Sequence, residues 1–237
     1  MLIIKNVSKS YDGKVKACDN VNLTIESGDI YGFIGHNGAG KTTLLKSIAG
    51  IIDFDEGVIT VDGMSIKTNP MDVKKRIAYI PDNPDVYESL TGNQYLEFIA
   101  DVFEIDENSR KDWIMHYAEM FEMTPALQQP ISTYSHGMKQ KIVIMSALIH
   151  EPKLLLLDEP FVGLDPKASY LLKEVFRDFC SKGSAIFFST HVLEVVEKLC
   201  NKVAIIKKGK IMAEGKTMEI IKDQSLEEIF LEITNEK

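Results

Sequence analysis

Between residues 30 and 49 the chain passes from a short apolar stretch, Ile30 to Ile34, through Gly35-His36-Asn37-Gly38-Ala39-Gly40-Lys41-Thr42-Thr43 into a helix-like run ending at Ala49. No other feature constrains the fold as tightly. A strand that gives way to a Gly-rich turn and then a helix turns successive backbone N–H groups toward one point, with no side chain in the way. The helix directs its positive end at the same point. Such a nest takes phosphate. Lys41 has the reach for β- and γ-phosphates, and the Thr42 hydroxyl is of the kind that ligates Mg²⁺. A Gly-rich turn without a ligand has no need of the flanking strand, the helix and the Lys-Thr pair together. The chain is therefore expected to bind a nucleoside triphosphate within an α/β fold.

The 237 residues are 45% hydrophobic and 26% charged, enough for one α/β domain or for a domain carrying an insertion. The formal charge of −8 argues against nucleic acid as a partner, because phosphate backbones need clustered Lys and Arg. Cys18, Cys180 and Cys200 lack metal-ligand spacing and read as free thiols in a reducing compartment. Residues Met1 to Ser10 lack the basic start and apolar region of a signal peptide, and apolar runs such as Leu154 to Leu157 are far too short to span a bilayer. The expectation is a cytosolic chain that meets a membrane only through a partner.

Along the chain, Leu2 to Ser27 alternates around the turn Asp12-Gly13 and reads as antiparallel strands. After the loop and its helix come a strand and turn, Gly57 to Gly63, and a strand, Ile77 to Ile80, stopped by Pro81. From Asp82 to Glu151 the pattern turns helical. Thr91 and Gln94 make a capping box, a second helix covers Trp113 to Phe121, and a third starts near Ser135. Alternation then resumes through Leu154 to Leu157, a helix around Leu171 to Phe179, Ala185 to Phe188, a helix Leu193 to Leu199, and Val203 to Ile206. Lys208-Gly209-Lys210 reads as a hairpin turn. The expected layout is a parallel-sheet core with an N-terminal antiparallel β-subdomain (residues 1–81 and 152–237) interrupted by a helical subdomain (82–151).

Three further groups complement the loop. Leu154 to Leu157 is a buried-type strand ending in Asp158 and Glu159, where one carboxylate can serve a metal ion and its neighbour can polarise water. A core strand with two solvated acids at its end is the plain alternative, which the upstream phosphate loop disfavours. His191 follows another core strand and can hydrogen-bond a γ-phosphate or the attacking water. Ser135 as an N-cap offers its hydroxyl and free N–H groups at a helix start, although capping alone also explains a Ser there.

In this order and spacing, nearly the whole chain resembles the nucleotide-binding subunit of ATP-binding-cassette (ABC) transporters. The resemblance implies a P-loop ATPase of the ABC type that uses ATP and Mg²⁺. Gly35 to Thr43 matches the Walker A motif, Tyr134 to Met138 the signature motif, Asp158 and Glu159 the Walker B pair, Gly163 to Asp165 the D-loop and His191 the switch histidine. By this likeness Tyr11 stacks on adenine, and Thr42, Asp158 and Asp82 serve the metal. Glu159, His191 and Asp82 carry the catalysis. Ser135 and Gly137 contact ATP held by a second ATP-binding chain in a head-to-tail dimer, of identical or different chains.

The sequence departs from the family pattern in two places. Asp82 stands where the family usually has Gln; it accepts only, is shorter and brings negative charge, so it is expected to act through a water or the metal. His136 and Met138 replace a Gly and a Gln of the signature, while Ser135 and Gly137 remain. Val86, Tyr87, Leu90 and Tyr95 are candidates for a groove that takes a permease helix, or else for the core of the helical subdomain. The likeness implies an ATP hydrolase that energises a separately encoded integral membrane permease from the cytoplasmic face. The segment Pro81-Asp82-Asn83-Pro84 with Leu90-Thr91-Gly92 is similar to bacterial cassettes paired with ABC-2 or EcsB-type permeases, more often exporters. The sequence stops soon after Leu231, which is expected to leave little room for the added C-terminal regulatory domain of several importer ATPases. A soluble ABC-type ATPase without a permease, serving iron–sulfur assembly, ribosomes or DNA, is the alternative; the single cassette and the absence of long insertions weigh against it. A nucleotide switch with negligible turnover fits poorly with Glu159.

Overall fold

The computed structural model describes residues 1–83, 85–222 and 224–235. Pro84, part of the permease-type segment above, lies outside the described residues. β1 (Leu2–Ser10) and β2 (Lys16–Ile25) are an antiparallel pair joined across the Asp12-Gly13 turn. Asp12 Oδ1 accepts from Lys14 N at 2.9 Å and Val15 N at 3.0 Å; these backbone donors, Val15 first, hold its carboxyl below the usual range. β3 (Ile30–Ile34) feeds α1 (Lys41–Ile48), followed by β4 (Glu56–Val61), β5 (Met64–Ser65), α2 (Pro70–Lys74) and β6 (Ile77–Ile80). The helical insertion holds α3 (Gly92–Val102), α4 (Glu107–Met120) and α5 (His136–Leu148). The chain then returns as β7 (Leu154–Asp158), α6 (Pro166–Ser181), β8 (Ala185–Thr190), α7 (Leu193–Leu199), β9 (Lys202–Lys207), β10 (Lys210–Lys216), α8 (Thr217–Ile221) and α9 (Leu226–Asn235).

Two sheets result. One is antiparallel in the order β2-β1-β4-β5; the other runs β10-β9-β3-β8-β7-β6, parallel except for β10. The parallel strands are apolar on both faces because both faces are covered. Ile30, Ile34, Leu155, Leu157, Ile186, Phe188, Val203 and Ile205 point into a core shared with the helices of the insertion and with α6 and α7. Their neighbours Tyr31, Phe33, Leu154, Leu156, Phe187, Ala204 and Ile206 point into a second core shared with α1 and the antiparallel sheet. The period of two places alternate residues of each strand in different layers. Phe187 anchors the second layer, its ring 5.1 Å from Phe33 and 5.6 Å from Tyr31.

The α/β expectation, with its β-subdomain and helical insertion, matches this architecture. The capping box forms as read, Thr91 Oγ1 accepting from Gln94 N and Gln94 Oε1 from Thr91 N. Several elements differ, and α8 and α9 are helices that the sequence pattern above does not mark. α4 begins at Glu107, not near Trp113, because Asp106 caps it by accepting from Ser109 N at 3.0 Å. Its first turns are polar and, apart from Arg110, solvent-facing, so they carry no apolar period. α2 goes unread because it is five residues long and buries only Val73. The three cysteines are free and buried, and burial pushes the thiols of Cys18 and Cys180 up to about 12.

Candidate functional site

The order of the parallel strands decides what can meet. β3, β8, β7 and β6 are consecutive neighbours, and their carboxyl ends open on one edge of the sheet. Neighbouring strands lie about 4.8 Å apart, so groups leaving β3 and β7 come within side-chain reach of each other over β8. The phosphate loop leaves β3, His191 follows β8, Asp158 and Glu159 end β7, and Asp82 follows β6. Ligands of open parallel sheets sit at such edges.

Sterics shape the loop. Gly40 has φ +113°, and a Cβ there would lie 2.1 Å from Ala17 O; a Cβ on Gly35 would lie 2.6 Å from Ile206 O. The loop is thus pressed between β2 and β9 with no room for side chains at these two positions. Ala39 N donates to His36 O at 3.0 Å, closing the turn, and Gly209 N of the β9–β10 hairpin donates to Ala39 O at 2.9 Å. Lys41, the first residue of α1, is buried and donates to Gly35 O at 2.6 Å.

Across the edge, Thr42 donates its hydroxyl to Asp158 Oδ2 at 2.6 Å, and Ser189 donates to Asp158 Oδ1. Glu159 adopts φ +51°, a left-handed conformation that its N–H maintains by donating to Ser189 O and Oγ, both at 3.1 Å. That kink turns the carboxylate back over the loop. Glu159 Oε1 lies 3.4 Å from Lys41 Nζ, while Oε2 accepts from His191 N at 3.2 Å and sits 3.0 Å from His191 Nδ1. Lys41 and Glu159 are nearly buried, at 6% and 12% side-chain exposure, so their mutual charge offsets part of the desolvation of each. His191 stays 59% exposed. The arrangement brings one cation, one carboxylate and one imidazole together beside the Gly-rich loop.

A cavity of about 510 Å³ collects most of the residues expected from the sequence: Tyr11, His36 to Gly38, Gly40 to Thr43, Asp82, Asp158 and Glu159 line it, together with Ala17. Tyr11 is 67% exposed, with its hydroxyl 3.2 Å from Thr43 Oγ1 at the rim. Asp82 is exposed on the opposite side, near Tyr79, whose phenol is pushed up by burial and then by Asp158 and Asp82. Ser135 and Gly137 do not line this cavity. Ser135 caps α5, its hydroxyl accepting from Met138 N at 3.3 Å, and it faces solvent. His136 packs on Gly163, where a Cβ would come within 2.9 Å of its ring. Ser189 is the partner missed in the sequence: the buried Ser189-Thr190 pair ending the apolar run Ala185 to Phe188 was the available signal. Of the groove candidates, Tyr95 belongs to the core, Val86 and Leu90 are half-buried, and only Tyr87 is largely exposed, its ring packed edge-on to Phe98 at 5.5 Å.

Residues 18–162 match the family model described as ABC transporter. Over 241 residues, 100% of this chain and 97% of the relative, the chain is 33% identical to the ABC-type transporter ATP-binding protein EcsA of Bacillus subtilis (strain 168). A solved structure described as an ATP binding subunit of an ABC transporter superposes with TM-score 0.93 at 32% identity, covering 98% of this chain and 99% of the other. Another, described as the dimeric structure of a post-hydrolysis state of an ATP-binding cassette bound to ADP and Pi, gives TM-score 0.82 at 23% identity over 92% and 99% of the two chains, a likeness of fold. With a Gly-rich loop facing a carboxylate and an imidazole at one sheet edge, and with this likeness along its whole length, the chain belongs to the ABC transporter family as an ATP-binding, ATP-hydrolysing subunit.

Proposed function

We propose that the chain powers a separately encoded membrane permease from its cytoplasmic face, in export more than in import. The observation that carries the hydrolytic part is the Lys41–Glu159–His191 contact chain at the mouth of the phosphate nest. In this reading the N–H groups of residues 35–40 and Lys41 hold the phosphates, and Tyr11 covers the adenine. Triphosphate oxygens displace Glu159 from Lys41, which frees the carboxylate to take a proton from the attacking water as its oxygen bonds to the γ-phosphorus and the bond to ADP breaks. His191 orients that carboxylate and reaches the γ-phosphate. The hard oxygen donors of Thr42 and Asp158 fit Mg²⁺, which when bound spreads the phosphate charge.

Asp82 lines the cavity without bonding Thr42, Asp158 or Glu159, which supports a water-mediated role. Asp82→Gln is expected to raise the Mg²⁺ concentration for half-maximal turnover by about tenfold, the usual weight of an outer-sphere carboxylate. Unchanged Mg²⁺ dependence and turnover would sink that role.

Ser135, exposed, and Gly137, half-buried, lie at the α5 N-terminus outside the chain's own cavity, placed to close on ATP held by a second chain. A fold neighbour is described as dimeric, and the pair proposed here is head-to-tail with two composite sites. The loop from Asp82 to Leu90 links the cavity to the exposed Tyr87–Phe98 aromatic pair, a surface suited to a permease helix. Among the described residues no helix is long and apolar enough to cross a membrane. In this reading the bilayer path belongs to the partner, and the relative's name as a transporter ATP-binding protein favours the same assignment. The test is to purify Glu159→Gln chain from membranes in ATP. A stoichiometric integral membrane protein, released when Tyr87 and Phe98 are both replaced by Asp, is the expected result. Recovery of the chain with no membrane protein overturns the permease reading and favours a soluble ABC-type ATPase.

A further inference from the structure

The hydrolytic reading makes no use of α9, although this last helix reaches the phosphate loop. The Phe230 ring lies 4.9 Å from the His36 ring, with the planes inclined by 57°. Both line a second cavity of about 510 Å³ with Gly35, Asn37 and His191. His36 and Asn37 also line the first cavity, so this stretch of loop is the partition between the two.

Phe230 is held in place independently of the loop. Leu226, at the start of α9, is fully buried, and its N–H donates to Glu197 on α7. Ile229, Phe230 and Ile233 pack against the larger core, and Lys207 Nζ on β9 donates to Ile233 O at 2.8 Å. β9 leads in turn to the hairpin whose Gly209 N–H grips Ala39 O. The turn closed by Ala39 N and His36 O is therefore fastened on one side by the hairpin. On the other side, among the described residues, its aromatic ring contact is with Phe230. A nest binds phosphate well only if its N–H groups are held convergent before the ligand arrives, because ordering the loop on binding costs affinity.

We propose that Phe230 is a positioning residue for ATP: through the His36 ring it fixes the 36–39 turn in its phosphate-binding shape, so the C-terminal helix sets nucleotide affinity. The inference needs only that the loop binds ATP, and it stands whether or not a permease is the partner. It acts on the turn through the His36 ring; His191 lines the same cavity without a ring contact to Phe230, so the expected effect falls on binding more than on the chemical step.

The test measures the Kd of a fluorescent ATP analogue, together with KM, kcat and thermal stability, for Phe230→Ala, Phe230→Leu, Phe230→Tyr, His36→Ala and the double variant Phe230→Ala/His36→Ala. Phe230→Ala is expected to raise Kd and KM about three- to tenfold, the range of an aromatic pair, with kcat within about twofold. Phe230→Leu keeps the apolar anchor of α9 and so guards against a variant that fails to fold; it is expected to show the same loss. Phe230→Tyr is expected to retain wild-type affinity. In the double variant, the Phe230 change is expected to add nothing to that of His36. Wild-type affinity in the Leu variant, a loss confined to kcat, or additive losses in the double variant would each overturn the proposal.

Discussion

A Glu159→Gln variant is expected to keep ATP binding and to lose about 10²- to 10⁴-fold in steady-state hydrolysis, the span of a single general base. Gln is nearly isosteric and can still accept the bond from His191 N, so the left-handed turn at residue 159 and its bond to Ser189 should survive. What disappears is proton affinity. A second consequence follows from Lys41. With Glu159 neutral, the buried ammonium loses its countercharge in the nucleotide-free protein, at a cost of about 1–2 kcal/mol, less than a fully buried pair because the separation is 3.4 Å. Bound triphosphate restores that charge. The variant should thus be less stable than wild type alone and gain more thermal stability from ATP. Phosphate release assays and melting curves with and without ATP read both effects. Retention of more than a tenth of wild-type turnover would remove Glu159 from the role of base.

Gly40→Ala is expected to be among the most damaging single methyl additions in this chain. The new Cβ would sit 2.1 Å from Ala17 O, a backbone atom on β2 that cannot swing aside, at a φ of +113° that disfavours any L side chain. Strain and clash together should destabilise the fold by about 3–4 kcal/mol, and the loop that survives should no longer converge on phosphate. Gly38→Ala separates the two causes. Its φ is +78°, but a Cβ there meets nothing within 4 Å, so only the left-handed cost of about 1–2 kcal/mol applies. Urea denaturation and ATP-analogue binding on both variants give the comparison. Equal losses would mean that the pressure from β2 plays no part.

Much of the fold is legible because its signals are local. The apolar runs at Ile30, Ile77, Leu154, Ala185 and Val203 each became a strand, and the Thr91–Gln94 box formed in full. α4 was legible only in its second half, since Glu107 to Asp112 are all polar and show no apolar period. Tyr95 illustrates another limit. An aromatic in a helical run is the same residue whether it faces a partner or a core, and packing against Ser146 and the insertion's core puts it inside.

At the candidate site, the sequence by itself determined the phosphate loop, the Asp158–Glu159 strand end and the Ser135 cap. Each depends on backbone conformation over a few residues: glycines that allow a nest, an apolar run that must be buried, a hydroxyl placed before a helix. Only the tertiary structure decided which of these meet. The strand order β3-β8-β7-β6 is not chain order; it follows from burying both sheet faces, and it brings Thr42 to Asp158 and Lys41 to Glu159. Ser189 became a site residue only because β8 lies beside β7, and Phe230 reaches His36 from the far end of the chain. No periodicity encodes such pairs, because they are fixed by the layer packing that closes the cores.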